Sequence, residues 1–482
     1  MPKYLIFLVQ QHFSFRRPEL ESLCDLFNIK ISNLDDIDKN LENPFFIVND
    51  IPNDTVARKL LSRSILCKGI YELYECAEDG SYDTLHKQLS NNKTLHLQIQ
   101  NNNENKDNSS VNTDFKFDFE FFGGNRKYSA KQKIEIINTF QHLDIKTNIN
   151  LKTPGTTYTL IEHYLPLTGQ TSSPTPHKVY FTRLVSLSRR TGQNVLDKYD
   201  LAKRPFRGTT SFEAELSLVT CNIAQINHGK LLYDPFVGTG SFLCAAAEFG
   251  ALCFGSDIDG RMIRGHTHRT PSNAKPNSSE RSLNGKTKKS NDTSKYQTNG
   301  IKTNFLYYGY PDQLLDVVTM DFTHNSLRNS LKLDTIICDP PYGIREGIKV
   351  LGAKDPAKHE RIQTVLRNGQ PAYLHRDYIP TKKPYSLDLL LQDILEFASQ
   401  RLDLGGRLCF WMPVANSNDI ETVVPLHSNL ELKYSCVQEF NKWSRRLLCY
   451  VNRGESYNGP TNDISDGSAR NEFRKDYFNG FN

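Results

Sequence analysis

The chain has 482 residues, 38% hydrophobic and 11% aromatic, which is enough for packed cores and too long for one domain of ordinary size. Its 59 Lys and Arg against 54 Asp and Glu leave a formal charge of +5, an excess that permits a nucleic-acid partner without demanding one. Ten cysteines stand singly with no CxxC pair, and no run approaches a membrane span, so a disulfide framework, a zinc site and a membrane anchor are not expected.

Tyr4–Val9 is β-rich and too short for a signal peptide, which points to a soluble, cytoplasmic protein. Pro18–Leu26 has helical spacing, Pro44–Val48 is apolar and extended, and Thr55–Ser64 is helical again. The Asn-rich tract Gln98–Asp114 reads as a solvated insertion. Phe115, Phe117, Phe119 and Phe121 alternate with charged residues, the period of a half-buried strand. Lys131–Leu143 places Ile134, Ile137, Phe140 and Leu143 at helical spacing, and Tyr158–Tyr164 and Val179–Ser186 are further strands. From about residue 205 the pattern becomes strand, helix, strand, helix, which argues a parallel sheet. Its strands are Leu231–Asp234, Ala251–Asp257, Asp316–Asp321, Leu333–Asp339 and Arg407–Val414, with helices at Ser241–Phe249 and Leu387–Leu402 and a closing pair at Leu430–Val437 and Arg446–Val451. Pro271–Gly300 reads as a disordered basic insertion and the stretch beyond Gly454 as a loose polar tail.

Several strand ends in this second half carry an acidic residue beside a turn. Asp234-Pro-Phe-Val-Gly-Thr-Gly-Ser241 runs into Gly238 and Gly240 and then an Ala-rich helix. Glycines let backbone approach a ligand that a Cβ would block, and no Lys-Ser/Thr follows to make a phosphate loop. Asp257, roughly 20 residues beyond that turn, has two readings of equal weight: a ribose ligand, or a helix N-cap shared with Asp259. Asp321-Phe322 pairs a carboxylate with an aromatic able to cover a purine, a weak signal alone.

The apolar strand ending in Asp339-Pro340-Pro341-Tyr342 is the specific one. A rigid turn is the bland alternative. Two prolines remove two backbone donors and stiffen the chain with its carbonyls outward. An exocyclic amino group on a base is a poor nucleophile, because its lone pair is delocalised into the ring. It needs an acceptor for each N–H, and the Asp339 carboxylate and Pro340 carbonyl supply two. Tyr342 supplies a stacking face, worth about 1–3 kcal/mol per base.

With these residues the chain resembles the class I amino-methyltransferases that carry (Asp/Asn)-Pro-Pro-(Tyr/Phe). Within them it is most similar to the eukaryotic catalytic subunits that form N2-methylguanosine at position 10 of tRNA. The match runs through Arg207–Ser217, Asp234–Ser241, Gly255–Asp259 and Cys338–Gly343, and Phe115–Phe122, Asn150–Pro154 and Tyr158–Tyr164 look like a THUMP module. The resemblance implies a Rossmann-like α/β methyltransferase fold, mainly parallel with an antiparallel last strand, at 191–454. It places a ferredoxin-like domain at 1–80 and a THUMP-like RNA-binding domain at 81–190, with a polar tail at 455–482. It implies S-adenosylmethionine held by Thr209, Thr210, Asp234, Phe236, Gly238, Gly240, Asp257, Ile258, Asp321 and Phe322. It further implies tRNA as substrate and a small zinc-binding activator subunit as partner. Two rivals stand beside it: the same chemistry on DNA adenine or cytosine or on a protein glutamine, and a catalytically idle RNA-binding relative. The first half does not read as a DNA target-recognition domain, glutamine enzymes usually carry Asn where this chain has Asp339, and the intact motif argues against idleness.

Overall fold

The computed structural model describes residues 2–106, 108, 110–123, 127–165, 173–208, 211–263, 265, 300–344, 347–353, 355, 357, 365–375, 378, 380–416, 424–462 and 477. The chain divides into two compact units, Met1–Asn194 and Val195–Asn482. Among the described residues no helix is long and apolar enough to cross a membrane.

In the first unit the apolar runs become β1 (Tyr4–Leu8), β2 (Phe45–Val48), β3 (Cys67–Ala77), β4 (Phe115–Phe122), β5 (Thr156–His163) and β6 (Lys178–Leu187). They form one six-stranded sheet in the order β2-β1-β3-β6-β5-β4, parallel only between β4 and β5. Helices Phe13–Phe27 and Asp54–Leu61 lay Leu20, Leu23, Ala57 and Leu60 on β1 and β3. The period-two phenylalanines all reach one cluster, Phe115 and Phe119 fully and Phe117 and Phe121 in part. A buried carboxylate and a half-buried guanidinium brace this sheet. Glu162 accepts hydroxyls from Tyr82, Tyr128 and Tyr164, and Arg183 donates to Glu72 and Asp54 at 2.7–2.9 Å. Removing one partner of such a set leaves a charge stranded out of water.

Two expectations need correction here. The tract Gln98–Asp114 is not a solvated insertion throughout, since its start lies in helix Lys93–Glu104. Asn92 opens that helix by accepting the Leu95 N–H at 2.9 Å, Leu95 and Ile99 are buried, and Gln98 donates to Glu72 at 3.1 Å. Asparagine-rich composition hid two apolar residues four positions apart, which share a helix face. Residues 105–112 are exposed where described. The segment Lys131–Leu143 also breaks in two: helix Ala130–Asn138, opened by a Ser129–Gln132 capping box, then a 3-10 turn Thr139–Leu143. Phe140 and Leu143 are buried after the break, while Ile134 stays 57% exposed.

In the second unit the strands are β7 (Leu231–Asp234), β8 (Leu252–Asp257), β9 (Leu314–Thr319), β10 (Leu333–Cys338), short β11 (Lys349–Leu351), β12 (Leu366–Arg367), β13 (Gln370–Pro371) and β14 (Lys382–Pro384), then β15 (Leu402–Ala415), β16 (Leu430–Glu439) and β17 (Trp443–Asn452). Seven of them make a sheet ordered β16-β17-β15-β10-β7-β8-β9. Only β17 runs against the rest, pairing antiparallel with both β15 and β16. Helix Leu387–Arg401 buries Leu391, Ile394, Leu395 and Ala398 against β10 and β15, each large side chain adding about 1.5–3 kcal/mol. Helices Ala214–Ile223 and Ile301–Tyr308 were not legible in the sequence. The first buries every residue from Leu216 to Ile223, so no 3.6-residue period betrays it. The basic insertion lies outside the described residues up to position 299. The tail is not loose at its start, because Asn462 accepts the Leu426 N–H and donates to the Val424 carbonyl, both at 2.8 Å.

Candidate active site

From β7 the sheet proceeds to β8 and β9 on one side and to β10 and β15 on the other. Ligands of open parallel sheets bind at the carboxyl ends of strands where the order reverses in this way. A cleft of about 550 Å³ opens there, within the range of roughly 300–1,000 Å³ usual for small-molecule sites. Asp234, Phe236, Gly238, Asp257, Ile258, Asp321, Phe322, Asp339, Pro340 and Tyr342 all line it. Thr209 and Thr210 lie outside the described residues.

The turn after β7 is built from the backbone. Asp234, buried at the strand end, accepts the Phe236 N–H at 3.0 Å, and burial holds its carboxyl well above the usual carboxylate range. Gly238 has φ +48° and donates its N–H to Asp257 at 2.9 Å, while the other Asp257 oxygen takes the Asp259 N–H at 2.8 Å. Asp257 therefore ties the glycine turn to the end of β8, a role its sequence position did not disclose. The two glycines differ. A Cβ on Gly238 would meet nothing nearer than the Phe236 carbonyl oxygen at 3.9 Å, so bare backbone faces the cleft. A Cβ on Gly240 would come within 2.9 Å of Ile301, and Gly240 is not among the lining residues. Its place is in packing, with φ +79° at the start of helix Ser241–Ala247.

Residues of the Arg207–Ser217 stretch, with Arg204, Phe206 and Asn304, hold this turn from the other side. Ser211 and Thr239 hydroxyls are 2.8 Å apart, Ser241 accepts from Arg204 and from the Phe212 N–H, and buried Asn304 bridges Phe206 to the Thr239 carbonyl. Asp321 lies beyond β9 and caps a 3-10 turn, accepting Thr323 N–H at 3.0 Å on one oxygen and Leu351 N–H at 2.7 Å on the other. Phe322 packs 5.4 Å from Phe236 at 60°. Lys382 donates to the Ile258 carbonyl at 2.8 Å, so the β11–β14 hairpin meets the cleft at both Asp321 and Ile258.

At the far end, Asp339 follows β10 and accepts the hydroxyl of Tyr342. Burial pushes its carboxyl up to about 6, opposed by the Arg445 guanidinium and the tyrosine bond. Burial and the Asp339 carboxylate together hold the Tyr342 phenol well above its ordinary range. Glu213, Gln438, Phe440, Trp443 and Arg445 line this end as well. None was predicted. The sequence hints were the place of Glu213 within Arg207–Ser217 and the pair Arg445-Arg446 ahead of the apolar run Leu447–Val451.

The strand order, the reversed β17 and the placement of the cleft are those of the class I Rossmann-like methyltransferases. A family model for an RMKL-like methyltransferase domain matches residues 202–354, and one for a Tmrp11 THUMP N-terminal domain matches residues 2–190. The chain is 49% identical over 482 residues to the tRNA (guanine(10)-N(2))-methyltransferase of Saccharomyces cerevisiae, covering 100% of both chains. It is 31% identical to that of Schizosaccharomyces pombe, over 99% of this chain and 96% of the relative. To tRNA (guanine(10)-N(2))-methyltransferase TRMT11 of Homo sapiens it is 30% identical, over 99% and 95%. The chain belongs to the tRNA (guanine(10)-N(2))-methyltransferase family.

Proposed function

We propose that this chain is the catalytic subunit of a tRNA methyltransferase that transfers a methyl group from S-adenosylmethionine to the exocyclic N2 of guanosine 10. The observation that carries the reading is Asp339-Pro340-Pro341-Tyr342 and the Gly238 turn facing one cleft from adjacent strands β10 and β7. The residues present fit the cofactor. Gly238 offers bare backbone, Phe236 and Phe322 offer two aromatic faces for adenine, and Asp257 sets a carboxylate in the cleft wall as an acceptor for ribose hydroxyls. Asp234, Ile258 and Asp321 complete the wall and Gly240 shapes it indirectly; Thr209 and Thr210, which the family resemblance assigns to the methionine end, lie outside the described residues.

The cofactor, when bound, supplies an electrophilic sulfonium methyl. Asp339 and the Pro340 carbonyl accept the two N–H bonds of the target amine and draw its nitrogen toward tetrahedral geometry. Proximity supplies much of the rate. As the N–C bond forms and the C–S bond breaks, the amine proton passes to the Asp339 carboxylate. Tyr342 fixes that carboxylate and stacks on the base, which reaches the cleft by flipping or from an unstacked position. Residues 81–190 grip the tRNA behind the ferredoxin-like residues 1–80. A small zinc-binding activator subunit seats on the outer strand β9, beside exposed Leu306 and Leu315, and should copurify with the tagged chain. The compartment is the cytoplasm, where ten free thiols stay reduced.

Mass spectrometry of tRNA nucleosides from cells lacking the chain tests the function. N2-methylguanosine should fall, and fragment mapping should place the loss at position 10. Unchanged N2-methylguanosine at position 10 would overturn it.

A further inference from the structure

Glu213 stands at the N-cap of helix Ala214–Ile223, where an acidic side chain ordinarily accepts N–H groups of the first turn. It makes no such bond. One of its oxygens instead accepts Gln438 Nε2 at 2.7 Å and an Arg445 guanidinium nitrogen at 3.4 Å. Gln438 and Arg445 are direct cross-strand partners on β16 and β17, and Arg445 Nε donates to Gln438 Oε1 at 3.0 Å. The guanidinium sits 4.1 Å from the Phe212 ring centre and 4.9 Å from that of Trp411, so two aromatic faces pack it beside Glu213. The Arg445 guanidinium also acts electrostatically on Tyr342 and Asp339. One cation thus ties Glu213 to the group that grips the target amine. Among the described residues nothing donates to the second Glu213 oxygen, and Glu213 lines the cleft with Asp339 and Pro340.

Next to N2 on the Watson–Crick edge of guanine is N1–H, a donor. In adenine and 2-aminopurine, N1 is a lone pair. An ionised carboxylate accepts the first and repels the others. Resting on the function proposed above, we infer that Glu213 is the guanine-specificity residue: its free oxygen accepts the N1–H while Gln438 and Arg445 hold the carboxylate in place. A site built to bond an N–H rejects an analogue that lacks it far more strongly than an apolar pocket rejects a missing methylene.

The test uses tRNA transcripts with guanosine or 2-aminopurine at position 10, and the protein in whichever preparation methylates the unmodified transcript. 2-Aminopurine keeps the exocyclic amine and changes only the neighbouring edge. The wild type should prefer guanosine by roughly tenfold to a hundredfold in kcat/KM, the scale of one charged hydrogen bond. Glu213→Gln keeps an acceptor for Gln438 and Arg445 but turns a donor toward N1, so the preference should collapse or invert. Gln438→Met, which loosens the clamp, should give an intermediate ratio. A Glu213→Gln enzyme of unchanged melting temperature that retains the wild-type ratio overturns the inference, as does a wild type indifferent to the two bases. If no preparation of the chain, alone or with a copurifying partner, methylates the guanosine transcript although cofactor binds, the underlying function fails and this inference with it.

Discussion

The two ends of the cleft use carboxylates differently. At the glycine-turn end, each oxygen of Asp257 and Asp321 takes a backbone N–H, from Gly238, Asp259, Thr323 and Leu351, and Asp321 adds the Thr323 hydroxyl and the His324 ring. At the acceptor end, Asp339 and Glu213 are held by side chains, a tyrosine hydroxyl in one case and Gln438 with Arg445 in the other. A carboxylate bonded to backbone fixes the shape of a loop, and removing it lets the loop go. A carboxylate bonded to side chains can take and release a proton without letting a loop go. The same residue type therefore builds the cofactor end and works at the other.

The largest expected effect follows from Asp339. Asp339→Ala should lower kcat by roughly 10²–10⁴-fold and leave cofactor affinity near wild type by calorimetry. Lost affinity with turnover intact would reverse the comparison. The pH profile gives a second reading. Asp234, Arg445 and the Tyr342 hydroxyl lie about this carboxyl, and burial raises it to about 6. It is an acceptor above that pH and protonated below it, so kcat/KM should drop about tenfold per unit on the acid side. Arg445→Met removes the opposing cation, and the acid limb should move upward. A limb that stays in place would show that another group titrates.

Asp257→Ala comes next in size. It leaves the Gly238 and Asp259 N–H groups without their acceptor, so cofactor affinity should fall by roughly 1.5–3 kcal/mol, with a lower melting temperature. Affinity lost at an unchanged melting temperature would mean that Asp257 serves the ligand alone and that the fastening is incidental.

The strand-end residues of the site were more legible in the sequence than its cross-strand clamp, for a physical reason. Asp234, Gly238, Asp257 and Asp339 sit where apolar runs stop at glycine, proline or acidic residues, and a short local window shows both the strand and its end. Glu213 and Gln438 are 225 positions apart and meet only because β16 and β17 close the sheet. No local pattern encodes that meeting. The helix Ala214–Ile223 was hidden by being buried almost all round, and helix Lys93–Glu104 by its asparagines. The sequence placed both glycines against the ligand, and the backbone separates them.

That separation makes the last and smallest prediction. Both glycines have positive φ, so alanine at either costs about 1–2 kcal/mol for the left-handed conformation. They differ in what the new methyl meets. At position 240 it presses on Ile301, on the helix Ile301–Tyr308 that also carries Asn304, the residue bridging Phe206 and the Thr239 carbonyl. Gly240→Ala should therefore lower the melting temperature while cofactor affinity stays within a few-fold of wild type. At position 238 the methyl points into open cleft, so Gly238→Ala should cost cofactor affinity beyond its modest conformational strain. Calorimetry and thermal melts on the two variants side by side decide it. If Gly240→Ala loses as much affinity as Gly238→Ala while still folded, the turn responds as one unit and the division between packing glycine and ligand glycine fails.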